Sequence, residues 1–178
     1  DKPLIAMVKK MMGVSNAIEE YQPLTKNRKR KYVLQIGSRR IYERLIELGF
    51  TEKKSLTLKF PSIPDEFLCH FVRGYLDGDG CVFFGKYKRH DRKKDSYVLM
   101  TSFTCGSRKF LVCLKQKLQS VLKIRKGGIY THGKNAYNLA YSIGSARQLY
   151  NFMYPTTTVP HLGRKKAKFE KAFAVMGP

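Results

Sequence analysis

The chain has 178 residues, 43% of them apolar, enough for one large domain or two small ones sharing a sheet. Its 35 lysines and arginines against 13 acidic residues leave a formal net charge of +22, an excess that repels itself unless a polyanion lies against it; nucleic acid is the expected partner, and a solubility or ribosome-type charge coat is the bland alternative. No segment approaches the roughly 20 apolar residues of a spanning helix and no amphipathic anchor stands out, so no membrane is expected as a partner.

The four cysteines, Cys69, Cys81, Cys105 and Cys113, form no C-x-x-C pair, and the histidines show no zinc-finger spacing, which argues against a zinc site. They lie in apolar runs such as Phe67-Leu68-Cys69 and Leu111-Val112-Cys113, the setting of small buried hydrophobes in a reducing, intracellular protein. There is no signal peptide, and the first residue is Asp1 rather than Met, as in a fragment or a processed product.

In chain order, the periodicity predicts a helix over Leu4–Gly13, a strand over Ala17–Tyr21, and a second strand, Tyr32-Val33-Leu34-Gln35-Ile36, whose Ile-Gly-Ser turn caps a short amphipathic helix. Pro61-Ser62-Ile63-Pro64-Asp65 then breaks the chain and starts a helix at Glu66. Cys81–Lys88 and Tyr97–Cys105 read as a hairpin joined by the basic stretch Arg89-His90-Asp91-Arg92-Lys93-Lys94-Asp95. A helix over Ser107–Leu122, a strand over Gly128–His132, a strand from Asn138 to Ile143 and a helix after another Ile-Gly-Ser turn complete the series.

The second half thus repeats the first: Tyr32–Tyr42 reappears in kind as Asn138–Tyr150, the helix and strand before it match Ser107–His132, and Glu52-Lys53-Lys54-Ser55 matches Gly163-Arg164-Lys165-Lys166. Residues 61–178 form a complete αββαββα unit, whereas 1–60 form an αββα unit lacking the opening helix and hairpin.

The helix from Glu66 places Gly74 and Gly78 on one face, along which a second helix can approach closely. It ends in Asp77-Gly78-Asp79-Gly80. Two carboxylates at a helix C-terminus are opposed by its dipole and by each other. A bound divalent cation relieves both, and oxygen ligands suit Mg²⁺; a plain Asp- and Gly-rich cap is the alternative. An EF-hand is excluded, because Cys81 stands where its third oxygen ligand belongs.

Val72-Arg73-Gly74-Tyr75-Leu76-Asp77-Gly78-Asp79-Gly80 resembles the LAGLIDADG motif of homing endonucleases, matching at Gly74, Leu76, Asp77, Asp79 and Gly80. With the element order, the repeat and the charge, the resemblance covers nearly the whole chain. It implies an α+β fold of saddle-shaped antiparallel sheets with a pseudo-two-fold internal repeat, above two such helices packed side by side. It implies a site-specific double-stranded DNA endonuclease, intron- or intein-associated, hydrolysing phosphodiesters with Mg²⁺, for which Mn²⁺ can substitute. By the same resemblance Asp79 is the acidic metal ligand, Gly78 offers a backbone carbonyl, Asp77 is structural, and Lys165 with its repeat partner Lys54 supplies the basic residue beside each active site.

For contact with DNA the repeat sets Tyr32, Leu34 and Ile36, like Leu139, Tyr141 and Ile143, inward. The outward residues are then Lys31, Val33 and Gln35, and Asn138, Ala140 and Ser142; Leu99 and Phe103 face in, Ser102 and Thr104 out. In the strand after Asp79 the alternation is ambiguous, and family geometry favours Gly85, Tyr87 and Arg89 outward. Gln, Asn and Arg suit base edges, whereas Lys29, Lys88, Arg92, Lys93 and Lys134 suit phosphates.

Gly128-Ile129-Tyr130 and Tyr141-Ser142-Ile143-Gly144 imitate the GIY-YIG nucleases, but too little chain follows for that domain and the repeat already accounts for the segment. Because 1–60 contain no second acidic helix, the resemblance requires one from an N-terminal segment, a separate chain or a homodimer mate. The rival readings are an RNA maturase or non-cleaving DNA-binding regulator on the same fold, and a structural basic protein of a ribonucleoprotein.

Overall fold

The computed structural model describes residues 1–178 except 24–29, 51–55, 88–95, 125–126, 157 and 178. Among the described residues it is an α+β arrangement of six helices and two antiparallel sheets.

The N-terminal part runs α1 (Lys2–Met12), β1 (Ile18–Tyr21), β2 (Lys31–Leu34) and α2 (Arg39–Glu47). β1 and β2 pair as a two-stranded sheet with Ile18 opposite Leu34. Ser38 starts α2 as its sequence suggests, its hydroxyl accepting from the Ile41 N–H at 3.3 Å. Neither α1 nor α2 buries a residue: Met11 is 71% exposed, and Tyr42 and Leu45 are also exposed.

The rest runs α3 (Asp65–Asp79), β3 (Gly80–Tyr87), β4 (Ser96–Cys105), α4 (Arg108–Leu122), β5 (Gly128–Thr131), β6 (Tyr137–Ser142), α5 (Ile143–Met153) and α6 (Gly163–Met176). Acidic Asp65 and Glu66 occupy the first turn of α3, where the helix dipole favours them. The four later strands form one sheet in the order β3-β4-β6-β5. Its register aligns Gly80, Phe103, Leu139 and Ile129 in one row, so alternation carries Val82, Leu99, Thr101 and Tyr141 to the same, inner face. There they are buried with Leu68, Val72 and Leu76 of α3, Phe110 and Leu114 of α4, Leu149 of α5 and Phe169 of α6. Phe83, Tyr87, Met100 and Tyr130 stay exposed on the opposite face.

Several expectations give way. The strand toward Ile36 ends at Leu34, and that toward Ile143 ends at Ser142. Ile143 is the first residue of α5 and is exposed rather than facing the core, while Ser145 lies buried inside the helix and Ser142 takes the capping position. Helix formation simply begins before the Gly-Ser pair that signals a turn. A further helix, α6, closes the chain; Phe169, Ala172, Phe173 and Met176 recur at helical spacing and pack on the core. Cys105 is buried, but Cys81 alternates outward on β3 and Cys113 lies on the exposed side of α4, so these two are not buried hydrophobes.

Phe103→Ala should cost about 3–5 kcal/mol in urea denaturation, and Met100→Ala, on the open face of the same strand, less than about 0.5. Similar losses at both positions would contradict this division of the sheet into two faces.

Candidate functional site

At the end of α3 the chain turns straight into β3. A Cβ on Gly80 would sit 2.6 Å from the Leu76 side chain and 2.7 Å from the Leu76 carbonyl oxygen, so the turn requires glycine. The last carbonyls of a helix lack partners within it. Lys165, buried in the first turn of α6, supplies them: its Nζ donates to Leu76 O at 2.6 Å, Asp77 O at 2.8 Å and Gly80 O at 2.6 Å. In return the buried Asp77 accepts the Leu162 N–H on Oδ2 at 3.0 Å, at the start of α6. Each helix thus places a charge of the favourable sign on the other's end.

Arg73, one turn earlier on α3 and also buried, ties in a third helix. It donates to Met153 O at the end of α5 and to Pro160 O, both at 2.7 Å, and to Nδ1 of His70 at 2.7 Å. Burial disfavours all three charges. It lifts the Asp77 carboxyl above its usual range despite the Leu162 N–H and Lys165. It pushes Lys165 down, with Arg164 adding to the effect, and lowers Arg73. Asp77 Oδ1 is buried without a partner among the described residues.

Asp79, the last residue of α3, is exposed, and among the described residues no hydrogen bond or ion pair engages its carboxylate. Lys165 binds the carbonyls of residues 76, 77 and 80, which leaves that of Gly78 beside Asp79 unclaimed by it. One carboxylate and one carbonyl suit a hard divalent cation but make only part of its shell. Among the described residues no group of three or more His, Cys, Asp or Glu side chains gathers to complete it.

Gly74 and Gly78 lie open, with nothing within 4 Å of where a Cβ would stand. A cavity of about 420 Å³ adjoins them, walled on its other side by Leu4, Ile5 and Val8 of α1. No described helix packs against the glycine face.

Of the residues assigned to nucleic-acid contact, Gly85 and Tyr87 point outward on β3, while Thr104 and Asn138 are cross-strand partners joined by a 2.6 Å hydrogen bond from Thr104 Oγ1 to Asn138 Oδ1. Ser142 is exposed at the end of β6, and Lys134 is exposed in the β5–β6 turn. Lys31 is exposed on β2 and Gln35 just beyond it, in the other sheet. Ser102 faces outward by register, yet at 6% exposure it is screened between Cys81 and Ala140 in the middle of the sheet. Lys29, Lys54, Lys88, Arg89, Arg92 and Lys93 lie outside the described residues.

Sequence reading missed Arg73, because a lone arginine in an apolar helix carries no motif of its own. It also passed over Phe83, Met100 and Tyr130, whose outward direction only the register establishes.

No family model matches the sequence, and none of the curated proteins does. Among solved structures, a double lysine-to-alanine mutant of I-SmaMI aligns with 99% of this chain and 77% of its own, at 15% identity and a TM-score of 0.55. The homing endonuclease I-CvuI in complex with the I-CreI target gives 17% identity and a TM-score of 0.49 over 63% of this chain and 67% of its own. The group I intron-encoded homing endonuclease I-CeuI complexed with DNA gives 18% and 0.47 over 65% and 56%. At these identities the likeness is one of fold.

Lys165→Met removes one donor shared by three carbonyls at the end of α3, of which Leu76 O keeps the Gly80 N–H, and should cost about 3 kcal/mol in chemical denaturation. Asp77→Asn keeps an acceptor for Leu162. A carboxyl whose folded pKa is raised contributes stability that is present in acid and lost as the pH rises through that folded value. The stability difference should therefore shift in favour of Asp77→Asn between acid and neutral pH; a shift toward the native chain would contradict the burial argument.

Proposed function

We propose that this chain, which has the fold of the LAGLIDADG homing endonucleases, is a site-specific endonuclease of double-stranded DNA that hydrolyses phosphodiesters with a divalent metal. The observation that carries this reading is the free Asp79 carboxylate at the end of α3, presented where Lys165 holds the neighbouring carbonyls in place. Asp79 and the Gly78 carbonyl are the residues that would hold Mg²⁺ or Mn²⁺. When bound, such an ion activates water and stabilises charge on the phosphate.

Lys165 serves this site chiefly by holding the helix end, and Lys54 is its counterpart in the repeat. Residues 1–60 act as a partial first repeat and 61–178 as a complete second one. A second acidic helix, set along Gly74 and Gly78, completes the donor set. It comes from a further segment, a separate chain or a second copy. The net charge of +22 suits the phosphates of a duplex, with Lys31 and Lys134 as contacts and Gln35 and Asn138 toward base edges.

The test is to incubate the chain with a randomised duplex library, with and without Mg²⁺, alone and with an added segment equivalent to 65–105, beside Asp79→Asn. Metal-dependent breaks at one long site are expected, abolished in Asp79→Asn while its DNA affinity holds. Tight binding without cleavage in every arm would overturn the endonuclease reading in favour of a maturase or a non-cleaving regulator.

A further inference from the structure

The cavity of about 420 Å³ beside α3 has two walls of different kinds. One is bare helix backbone: no described side chain or neighbouring element stands within 4 Å of where a Cβ on Gly74 or Gly78 would be. Phe67, about two turns before Gly74 on the same side of α3, is 55% exposed and prolongs this wall. The other wall is the apolar stripe of Leu4, Ile5 and Val8 on α1, a helix that buries none of its residues.

An occupant that satisfies both walls needs two faces, one small enough to approach the glycines closely and one apolar enough to cover the α1 stripe. One helix can carry both, because residues two apart point about 200° apart around its axis. Residues 65–79 have that pattern, with Leu68, Val72 and Leu76 on one side and Gly74 and Gly78 on the other. In the folded chain, however, Leu68, Val72 and Leu76 are fully buried in the core. The α3 of a second copy therefore has one open side, and its own folded core lies behind it, in the space that α1 of the first chain takes up. Such a copy covers the glycines only by leaving the α1 stripe bare or by pushing α1 aside.

We propose that the cleft between α1 and α3 takes a free helix supplied in trans, small-sided toward Gly74 and Gly78 and apolar toward Leu4, Ile5 and Val8, in preference to the α3 of a second copy. This rests on the second-helix part of the function proposed above, independently of cleavage, and it narrows the source of that helix. The apolar stripe supplies most of the attraction, because burying Leu, Ile and Val side chains is strongly favourable in water. The glycines set how closely the two backbones meet, and Phe67 adds an apolar anchor toward the start of α3.

The probe is a fluorescent peptide of residues 65–79, stapled between positions 69 and 73, which lie between its two faces, to hold it helical. Anisotropy against the full chain measures its affinity, and sedimentation of the full chain alone measures self-association. Saturable binding is expected, with the full chain monomeric at the concentrations that saturate it. Val8→Asp and Gly74→Leu in the chain should each weaken peptide binding roughly 10-fold or more; both positions are exposed, so neither change disturbs the core. The proposal is overturned if the peptide does not bind, if Val8→Asp leaves its binding intact, or if the full chain forms a dimer that Gly74→Leu dissociates. Peptide binding with these dependences, but without DNA cleavage, upholds the cleft and counts only against the endonuclease reading.

Discussion

Where α3 ends and α6 begins, two helices exchange charges: Lys165 donates to the last carbonyls of α3, and Asp77 accepts at the first amide of α6. Arg73 extends the arrangement to the end of α5. Buried helix ends are costly without partners, and each of the three charges is itself disfavoured by burial. They persist because each satisfies backbone groups at a helix end: the Asp77 and Gly80 carbonyls and a second bond to the Leu76 carbonyl for Lys165, the Leu162 amide for Asp77, the Met153 carbonyl for Arg73. Asp77 is the charge that couples to both Lys165 and Arg73, so its loss leaves two buried cations without their counter-charge. Asp79 follows directly: it is the residue at which α3 leaves the junction, and Gly80, which no larger residue can replace, sends the chain into β3.

The N-terminal and C-terminal parts of the chain differ in how much of this they possess. In the second half α3 and the hairpin β3–β4 cover α4 and α5 and give a continuous core. In the first, α1 and α2 carry apolar residues at helical spacing but bury none, and α1 faces the glycine side of α3 across a cavity. A helix stripe stabilises only when another layer covers it, and among the described residues only the later helices have such a cover. Exposed apolar side chains on α1 and α2 are surfaces that favour association.

Much of the order of elements was legible from periodicity, breakers and the repeat itself. The alternation that set Leu139 and Tyr141 against Asn138 and Ser142 reads directly from side-chain period, and Ser38 marks a helix start because its hydroxyl can satisfy an orphan amide. Ile143 escaped the same logic, since Ser142 began the helix before the expected turn. The place of Asp79 at the end of α3 was legible through the motif. Lys165 drew attention as a basic residue beside the acid, but its three carbonyl contacts depend on α6 folding back on α3, a long-range fact that no local pattern encodes. Arg73 and the outward rings belong to the same class: their places come from partners distant in sequence.

The position of Asp79 depends on the α3–α6 junction acting as one unit. Amide hydrogen exchange in the native chain, Lys165→Met and Asp77→Ala tests this most directly. Loss of Lys165 should speed exchange in the first turn of α6 as well as the last turn of α3, and loss of Asp77 should do the same in both places. Faster exchange confined to the helix that carries the substitution would show that the two ends are held independently, and would remove the reason for Asp79 standing where it does.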